Sequence, residues 1–202
     1  LFKNSFFMLA GNGAVGLIQF VSISFFILNY DISGYGIFVL TKMFLPAGLL
    51  LILDFGISDT LVRFISSNYK SLKSQQEFIT LSLLIILTIS IIASITLISQ
   101  AGYITNLFTF NSSTDAIIFT DLIKLVGISL PILFFGSILE SIFKGIESFI
   151  TISVVDFLVA FTFLVLLICI KFTDWNLFNV IALYIILLIL KVAYLFINIL
   201  IN

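Results

Sequence analysis

The residues from Gly34 to Phe64 read GYGIFVLTKMFLPAGLLLILDFGISDTLVRF. The stretch is mostly apolar and is longer than the ~20 residues that a helix needs to cross the hydrocarbon core of a bilayer. It has a Pro46-Ala47-Gly48 sequence at its middle and an Asp54-Phe55-Gly56 sequence before its polar end. We expect a membrane-spanning helix that bends near Pro46, because proline cannot donate a backbone hydrogen bond, and that loosens near Gly56.

The composition of the whole 202-residue chain indicates a membrane protein. Hydrophobic residues make up 61% of the chain and charged residues 9%, whereas soluble domains are roughly half apolar and a quarter charged. The net charge of −1, without a basic cluster, argues against binding nucleic acid. One cysteine and no histidine exclude a disulfide framework and a metal site built from these residues. We expect no cofactor, no metal, no catalytic residues and no enzymatic activity.

Six apolar segments predict six membrane-spanning helices. They lie at about residues 5–28, 35–62, 78–100, 117–140, 149–170 and 177–200. The connections between them hold most of the charged and turn-forming residues, and none is long enough to form a soluble domain. The predicted fold is therefore all-α, a polytopic transmembrane bundle that occupies residues 1–202 as a single unit.

The distribution of lysine and arginine predicts the orientation of the bundle, because short cytoplasmic loops carry an excess of positive charge. With the amino terminus inside, five of these residues lie in inner segments and one in an outer loop. The inner residues are Lys3, Arg63, Lys70, Lys73 and Lys144, and the outer one is Lys171. With six crossings, both termini are predicted to be cytoplasmic.

Further charged residues lie within the predicted spans, where each costs ~3 kcal/mol or more unless it faces a partner or a water-filled cavity. They are the cations Lys42, Lys124 and Lys191 and the acids Asp54, Asp121 and Asp156. Lys191, in the middle of the sixth span, is the hardest to place in lipid, whereas Lys42 can also extend to the outer interface. The set fits an anionic polar substrate in an interior cavity, or ion coupling through carboxylates.

Other polar residues within or next to the spans allow both structural and functional interpretations. Asp59/Arg63 and Glu140/Lys144 have the four-residue spacing of helical ion pairs, and we expect both pairs to be structural contacts at the cytoplasmic edge. The small residues of the first span predict a helix-packing face. The alternative for this span is that Asn12 and Gln19 line a cavity.

Three short segments around the second span resemble a known family. They are Gly34-Tyr35-Gly36-Ile37-Phe38, Leu53-Asp54-Phe55-Gly56-Ile57 and Leu61-Val62-Arg63-Phe64, with weaker support from Lys3-Asn4 and Phe143-Lys144-Gly145-Ile146. The pattern is similar to that of polysaccharide flippases in the multidrug/oligosaccharidyl-lipid/polysaccharide exporter superfamily. This resemblance implies that the protein flips a polyprenyl-diphosphate oligosaccharide across the bacterial plasma membrane by alternating access, for surface polysaccharide synthesis.

The resemblance also implies an architecture and a set of residue roles. Members of the family have about twelve spans in two six-helix lobes, so this chain resembles one amino-terminal lobe. We expect a fragment whose partner is a second lobe, or a half-size protein that forms a homodimer. The implied contacts to the diphosphate or to acidic sugars are Lys42 and Lys191, with Lys124 and Arg63 as further cavity or inner-edge candidates. Asp54 and Asp156 are the gate or coupling candidates.

Three alternatives remain open from the sequence. A multidrug exporter of the same superfamily, coupled to H⁺ or Na⁺, would use buried acids such as Asp54 and Asp156. A membrane scaffold without transport activity would need none of the charges for transport. A membrane-embedded glycosyltransferase or ligase is the least favoured, because the longest outer loop, 101–115, contains Asp115 as its one charged residue.

Overall fold

The computed structural model describes residues 2–67, 72–110, 112–170 and 175–201, and within these ranges all regular structure is helical. The helices are α1 (Phe2–Met43), α2 (Pro46–Leu53), α3 (Ile57–Ser67), α4 (Leu72–Asn106), α5 (Ser113–Gly145), α6 (Phe149–Ile170) and α7 (Leu177–Ile201). Five helices among the described residues are long and apolar enough to cross a membrane. The predicted all-α membrane bundle is therefore confirmed.

The first of these helices, α1, contains a reversal of the chain. Asp31 has φ 59° and ψ 179°, outside the helical region. Phe26 and Phe38 would lie about 18 Å apart along a straight helix, but their ring centroids are 4.8 Å apart. The arms 2–30 and 32–43 therefore pack against each other as a hairpin. The turn falls between the predicted first and second spans.

The predicted second span, 35–62, is divided into three helical pieces rather than one bent helix. The first break follows Met43, and α2 begins at Pro46. Proline has no amide hydrogen and its ring displaces the preceding carbonyl groups, so the helix ends and restarts instead of bending. The second break lies at Asp54–Gly56, where Phe55 has φ 47° and Gly56 has φ 76°. Both breaks lie where the sequence predicted an irregular helix, near Pro46 and near Gly56.

Helix α5 lies at the centre of the bundle and packs against α3, α4 and α7. Three glycines allow these neighbours to approach closely. A Cβ at Gly127 would meet Ile98 of α4, one at Gly136 would meet Val192 of α7, and one at Gly145 would meet Ile65 of α3. Small residues have this role in helix packing within lipid. We call α3, α4, α5 and α7 the central group.

Helices α1 and α6 form a second unit, which we call the outer pair. They pack along each other, with Gly11 of α1 against Ser153 of α6. Asn29 Nδ2 of α1 also donates to the Leu167 carbonyl oxygen of α6 at 3.2 Å. Packing between the outer pair and the central group is sparser than packing within either. The boundary between them is referred to below as the seam.

The intervals predicted for the last four spans, 78–100, 117–140, 149–170 and 177–200, lie within α4, α5, α6 and α7. The helices α4 and α5 extend beyond these intervals. Lys70 and Lys171, which contribute to the predicted orientation, lie outside the described residues. The orientation therefore stays a prediction.

Candidate functional site

A cavity of about 330 Å³ lies in the seam, between α1, α6 and α7. Its wall is largely apolar and includes five aromatic rings, and its polar lining includes Gln19, Lys42, Asp156 and Lys191. A neighbouring cavity of about 250 Å³ extends toward α2 and α5. Lys42 and Lys191 line both cavities. The structure therefore brings together three of the charged residues that the sequence indicated, and it places Gln19 beside them.

Lys191 is held by two carboxylates from two other helices. Its Nζ lies 2.5 Å from Asp156 Oδ1 of α6 and 2.7 Å from Glu140 Oε1 of α5. The Lys191 side chain is 13% exposed. A buried ammonium group needs partners of this kind, because an uncompensated charge is very unfavourable away from water. Two carboxylates therefore neutralise the positive charge of Lys191 in this structure.

Glu140 links Lys191 to a further cation. Its Oε2 lies 3.8 Å from Lys144 Nζ, one helical turn along α5. Asp156, Lys191, Glu140 and Lys144 thus form a chain of alternating charges with no net formal charge. The predicted Glu140/Lys144 pair is present, but it belongs to this larger network.

Lys42 has a different environment from Lys191. Its Nζ lies 5.4 Å from the ring centroid of Phe38 and 5.7 Å from that of Tyr184, which are distances of cation–π contacts. Among the residues that the structure describes, no carboxylate forms an ion pair with Lys42. The aromatic faces stabilise the charge without neutralising it. Lys42 therefore gives the cavity an uncompensated positive charge.

Aromatic rings from three helices surround Lys42. Phe38 of α1 stacks with Phe163 of α6 at a centroid distance of 5.6 Å. Tyr184 of α7 meets Phe38 at 5.3 Å and Phe163 at 4.9 Å. The Phe38–Phe163 contact lies within the outer pair, whereas the two contacts of Tyr184 cross the seam. The cavity thus combines a cation with a flat apolar wall.

Lys124 and Arg63 lie away from this site. Lys124 forms an ion pair with Asp121 at 3.3 Å, and both side chains are about half exposed, at 49% and 52%. Arg63 is exposed on α3 and lines neither cavity. The predicted Asp59–Arg63 ion pair is wrong, since no such pair forms within the described part of the chain. Exposed pairs gain little energy and lose side-chain entropy.

The two acidic candidates, Asp54 and Asp156, lie in different parts of the structure. Asp54 accepts hydrogen bonds from Ser58 N at 3.2 Å and from Ser58 Oγ at 2.8 Å, so it stabilises the first turn of α3. It does not line the cavities. Asp156 faces the larger cavity and binds Lys191. Of the pair, Asp156 is therefore the residue positioned to respond to a bound ligand.

Two members of the site, Glu140 and Tyr184, were not predicted from the sequence. Glu140 lies 51 positions from Lys191, and nothing in that spacing indicates contact; its four-residue spacing from Lys144 pointed to a simpler pair. Tyr184 is one of many aromatic residues in the spans, and only the packing of α7 against α1 places it under Lys42. The one available signal was indirect, because a lysine at mid-span requires some carboxylate partner.

The fold and the site define the class of this protein as a multi-pass helical membrane protein with a charged, aromatic-lined cavity in its interior. No protein-family model, no curated protein and no solved structure matches the chain.

Proposed function

We propose that this protein is a transporter that flips a lipid-linked oligosaccharide, a polyprenyl-diphosphate sugar, across the bacterial plasma membrane for surface polysaccharide synthesis. The observation that carries the proposal is the environment of Lys42, a cation that faces an interior cavity without a carboxylate partner. An ionisable residue within a membrane bundle is energetically unfavourable and therefore rare, so it indicates a substrate or ion pathway. A positive charge selects an anionic group such as a diphosphate.

The cavity also has the chemistry to hold a sugar headgroup. Pockets for small molecules typically combine apolar and aromatic walls with a few oriented polar groups, in volumes of about 300–1,000 Å³. The larger cavity, about 330 Å³, pairs the rings around Tyr184 with Lys42 and Gln19. The ring faces can pack against sugar rings, while Gln19 can donate to or accept from hydroxyl groups.

The arrangement of helices supports movement along the seam. Alternating access requires two units that move relative to each other around a substrate site. The outer pair and the central group are each well packed but meet sparsely, and the cavity lies where they meet. The breaks after Met43 and at Asp54–Gly56 divide the helical stretch that connects α1 to the central group. Such breaks can absorb a change in helix angle.

The resemblance of Gly34–Phe64 to polysaccharide flippases supports the choice of substrate and compartment. Under this proposal the protein works with a second six-helix lobe or a second copy of itself. Both termini are cytoplasmic, and the lipid tail of the substrate remains in the bilayer. Coupling to protons or sodium ions requires that Asp156 exchange its ion-pair partner, Lys191, during the transport cycle.

A second candidate, a multidrug exporter coupled to H⁺ or Na⁺, is favoured by one observation: Asp156 faces the cavity. The close contact of Asp156 with Lys191 weighs against it, because a carboxylate bound to an ammonium group is a poor site for a further cation. Drug efflux whose cation dependence disappears in Asp156→Asn would favour this candidate over the flippase.

The test of the proposal is made in the native host with the native gene product. Deletion of the gene should deplete surface polysaccharide and accumulate lipid-linked oligosaccharide in the inner leaflet. Wild type and Lys124→Gln should restore export, whereas Lys42→Gln, present at equal level in the membrane, should not. Normal surface polysaccharide in the deletion strain, with no redundant exporter in the host, would refute the proposal.

A further inference from the structure

Lys191 binds carboxylates that belong to different units of the bundle. Glu140 lies in α5, in the central group with Lys191 itself, so their ion pair is internal to that group. Asp156 lies in α6 of the outer pair, so its ion pair with Lys191 crosses the seam. Among the described residues it is the one ion pair that does so.

The two carboxylates also face different spaces. Asp156 lines the larger cavity together with Lys42 and Lys191, whereas Glu140 lines the smaller one. An anion that enters the larger cavity therefore meets two lysines, one of which is already bound by Asp156 from the same side. Glu140 does not line the larger cavity, so it does not border the space that this anion occupies.

We propose that Lys42 and Lys191 together form a binding site for a diphosphate or phosphate-ester group, and that Asp156 occupies the Lys191 half of this site when no ligand is bound. Naming the ligand as the substrate's diphosphate rests on the proposed function; the competition between Asp156 and an anion rests on the geometry alone. A diphosphate engages both lysines, whereas Asp156 forms an ion pair with Lys191 and not with Lys42. The bidentate anion therefore displaces the single carboxylate.

Displacement of Asp156 has a structural consequence. It removes the ion pair that joins α6 to α7, while the Glu140 pair keeps Lys191 fixed in the central group. The seam then loses its ionic contact at the moment when the cavity is occupied. A ligand shifts an equilibrium toward the state that it binds better. The anion binds better when Asp156 is displaced, so its binding favours the state in which α6 is no longer joined to α7 by an ion pair.

The first experiment measures binding of inorganic diphosphate to the purified full chain in detergent, by isothermal titration calorimetry. Asp156→Asn removes the competitor but keeps the shape of the side chain, so we expect roughly tenfold tighter binding than in wild type, within the usual range for coupled equilibria. Lys42→Gln should abolish measurable binding. Asp121→Asn, which alters an exposed acid outside the cavity, should bind as wild type does.

Glu140→Gln separates competition from a general effect of negative charge. It also removes one negative charge near Lys191, but from the side of the smaller cavity. If Asp156 competes directly, the gain in affinity with Asp156→Asn exceeds that with Glu140→Gln. Equal gains in the two variants, or unchanged or weaker binding with folded Asp156→Asn, would overturn the proposal.

A second measurement needs no change at Asp156 and so remains informative if that variant does not fold. Spin labels are attached to the native Cys169, exposed on α6, and to Ser99→Cys, exposed on α4. Saturating diphosphate should lengthen the distance between the labels, because α6 is released from the central group. Binding without any change in the distance distribution would contradict the release of the outer pair.

The source of the anion is decided by repeating the titration in nanodiscs with polyprenyl phosphate in the bilayer. If polyprenyl phosphate in the bilayer weakens the binding of diphosphate, the site belongs to a lipid headgroup. If it has no effect on diphosphate binding, the site belongs to a soluble anion. The outcome is separate from the test of the proposed function. Tighter binding in Asp156→Asn with normal polysaccharide export in the deletion strain would keep the two-lysine site and reject the flippase.

Discussion

Helices α5 and α1 are both long and apolar, but the rest of the chain covers them to very different extents. Of the most apolar 18-residue window in α5, 61% is buried, compared with 11% in the Gly11–Met43 part of α1. Side chains of α1 such as Leu9, Leu17 and Leu28 are largely exposed. A long apolar helix thus forms the packed centre in one case and, in the other, keeps most of its surface uncovered by the described residues.

The two regions also provide different surroundings for a partly buried lysine. Lys191, in the central group, forms ion pairs with Asp156 and Glu140. Lys42, in the outer pair, has cation–π contacts with Phe38 and Tyr184 and no ion pair among the described residues. In the first case two carboxylates hold Lys191 in place, and a ligand reaches it only by displacing Asp156. Partial compensation in the second leaves Lys42 available to a ligand.

Replacement of Lys191 is expected to have the largest effect on stability. Lys191→Ala leaves Asp156 without an ion-pair partner and leaves Glu140 with Lys144 alone, at 3.8 Å, and breaking a largely buried pair in this way costs about 3–5 kcal/mol. Lys42→Ala loses cation–π contacts of roughly 0.5–2 kcal/mol and leaves no carboxylate unpaired. The free energy of unfolding in detergent, measured for both variants, checks the contrast. Equal losses would mean that the two lysines do not differ in role.

Replacement of a glycine at the centre should have the next largest effect. Gly127 of α5 lies against Ile98 and close to the Ser94 carbonyl oxygen of α4. Gly127→Val would force these helices apart, with a loss of about 1–3 kcal/mol. Gly13→Val in α1 is the matched control, because nothing lies within 4 Å of the position of its Cβ. Thermal unfolding of the two variants tests the comparison, and a greater loss for the α1 variant would reverse it.

A smaller effect is expected at the break between α2 and α3. Asp54→Ala removes the hydrogen bonds to Ser58 that stabilise the start of α3, with a loss of about 0.5–2 kcal/mol. Amide hydrogen exchange should become faster in the first turn of α3 and remain unchanged in α5. Slower or unchanged exchange at Ser58 would show that Asp54 has another role. Ser66→Ala, at an exposed position near the end of α3, is the control.

The smallest effect is expected at the exposed pair of α5. Lys124→Ala removes a contact to Asp121 in which both side chains are about half exposed, and such pairs contribute about 0–1 kcal/mol. Stability and transport should both stay close to wild type. A loss of transport at normal stability would show that Lys124 belongs to the substrate pathway after all.

The sequence was a good guide to the elements and a poor guide to their contacts. Runs of apolar residues located the helices because lipid requires a minimum helix length, and Pro46 and Gly56 marked the two breaks because backbone chemistry is local. Lys42, Asp156 and Lys191 were recognised because charge within a span is unusual. The Glu140–Lys191 pair was not, since it depends on how α5 and α7 pack over a separation of 51 positions.

The most direct test of the central claim is flipping by the purified native protein in proteoliposomes. The measured quantity is the fraction of labelled lipid-linked oligosaccharide that becomes accessible from outside the vesicles over time. If Lys42 is the cation that holds the anionic headgroup, Lys42→Gln should flip no faster than protein-free vesicles, while Lys124→Gln flips as wild type does. Wild-type flipping by Lys42→Gln would contradict the account.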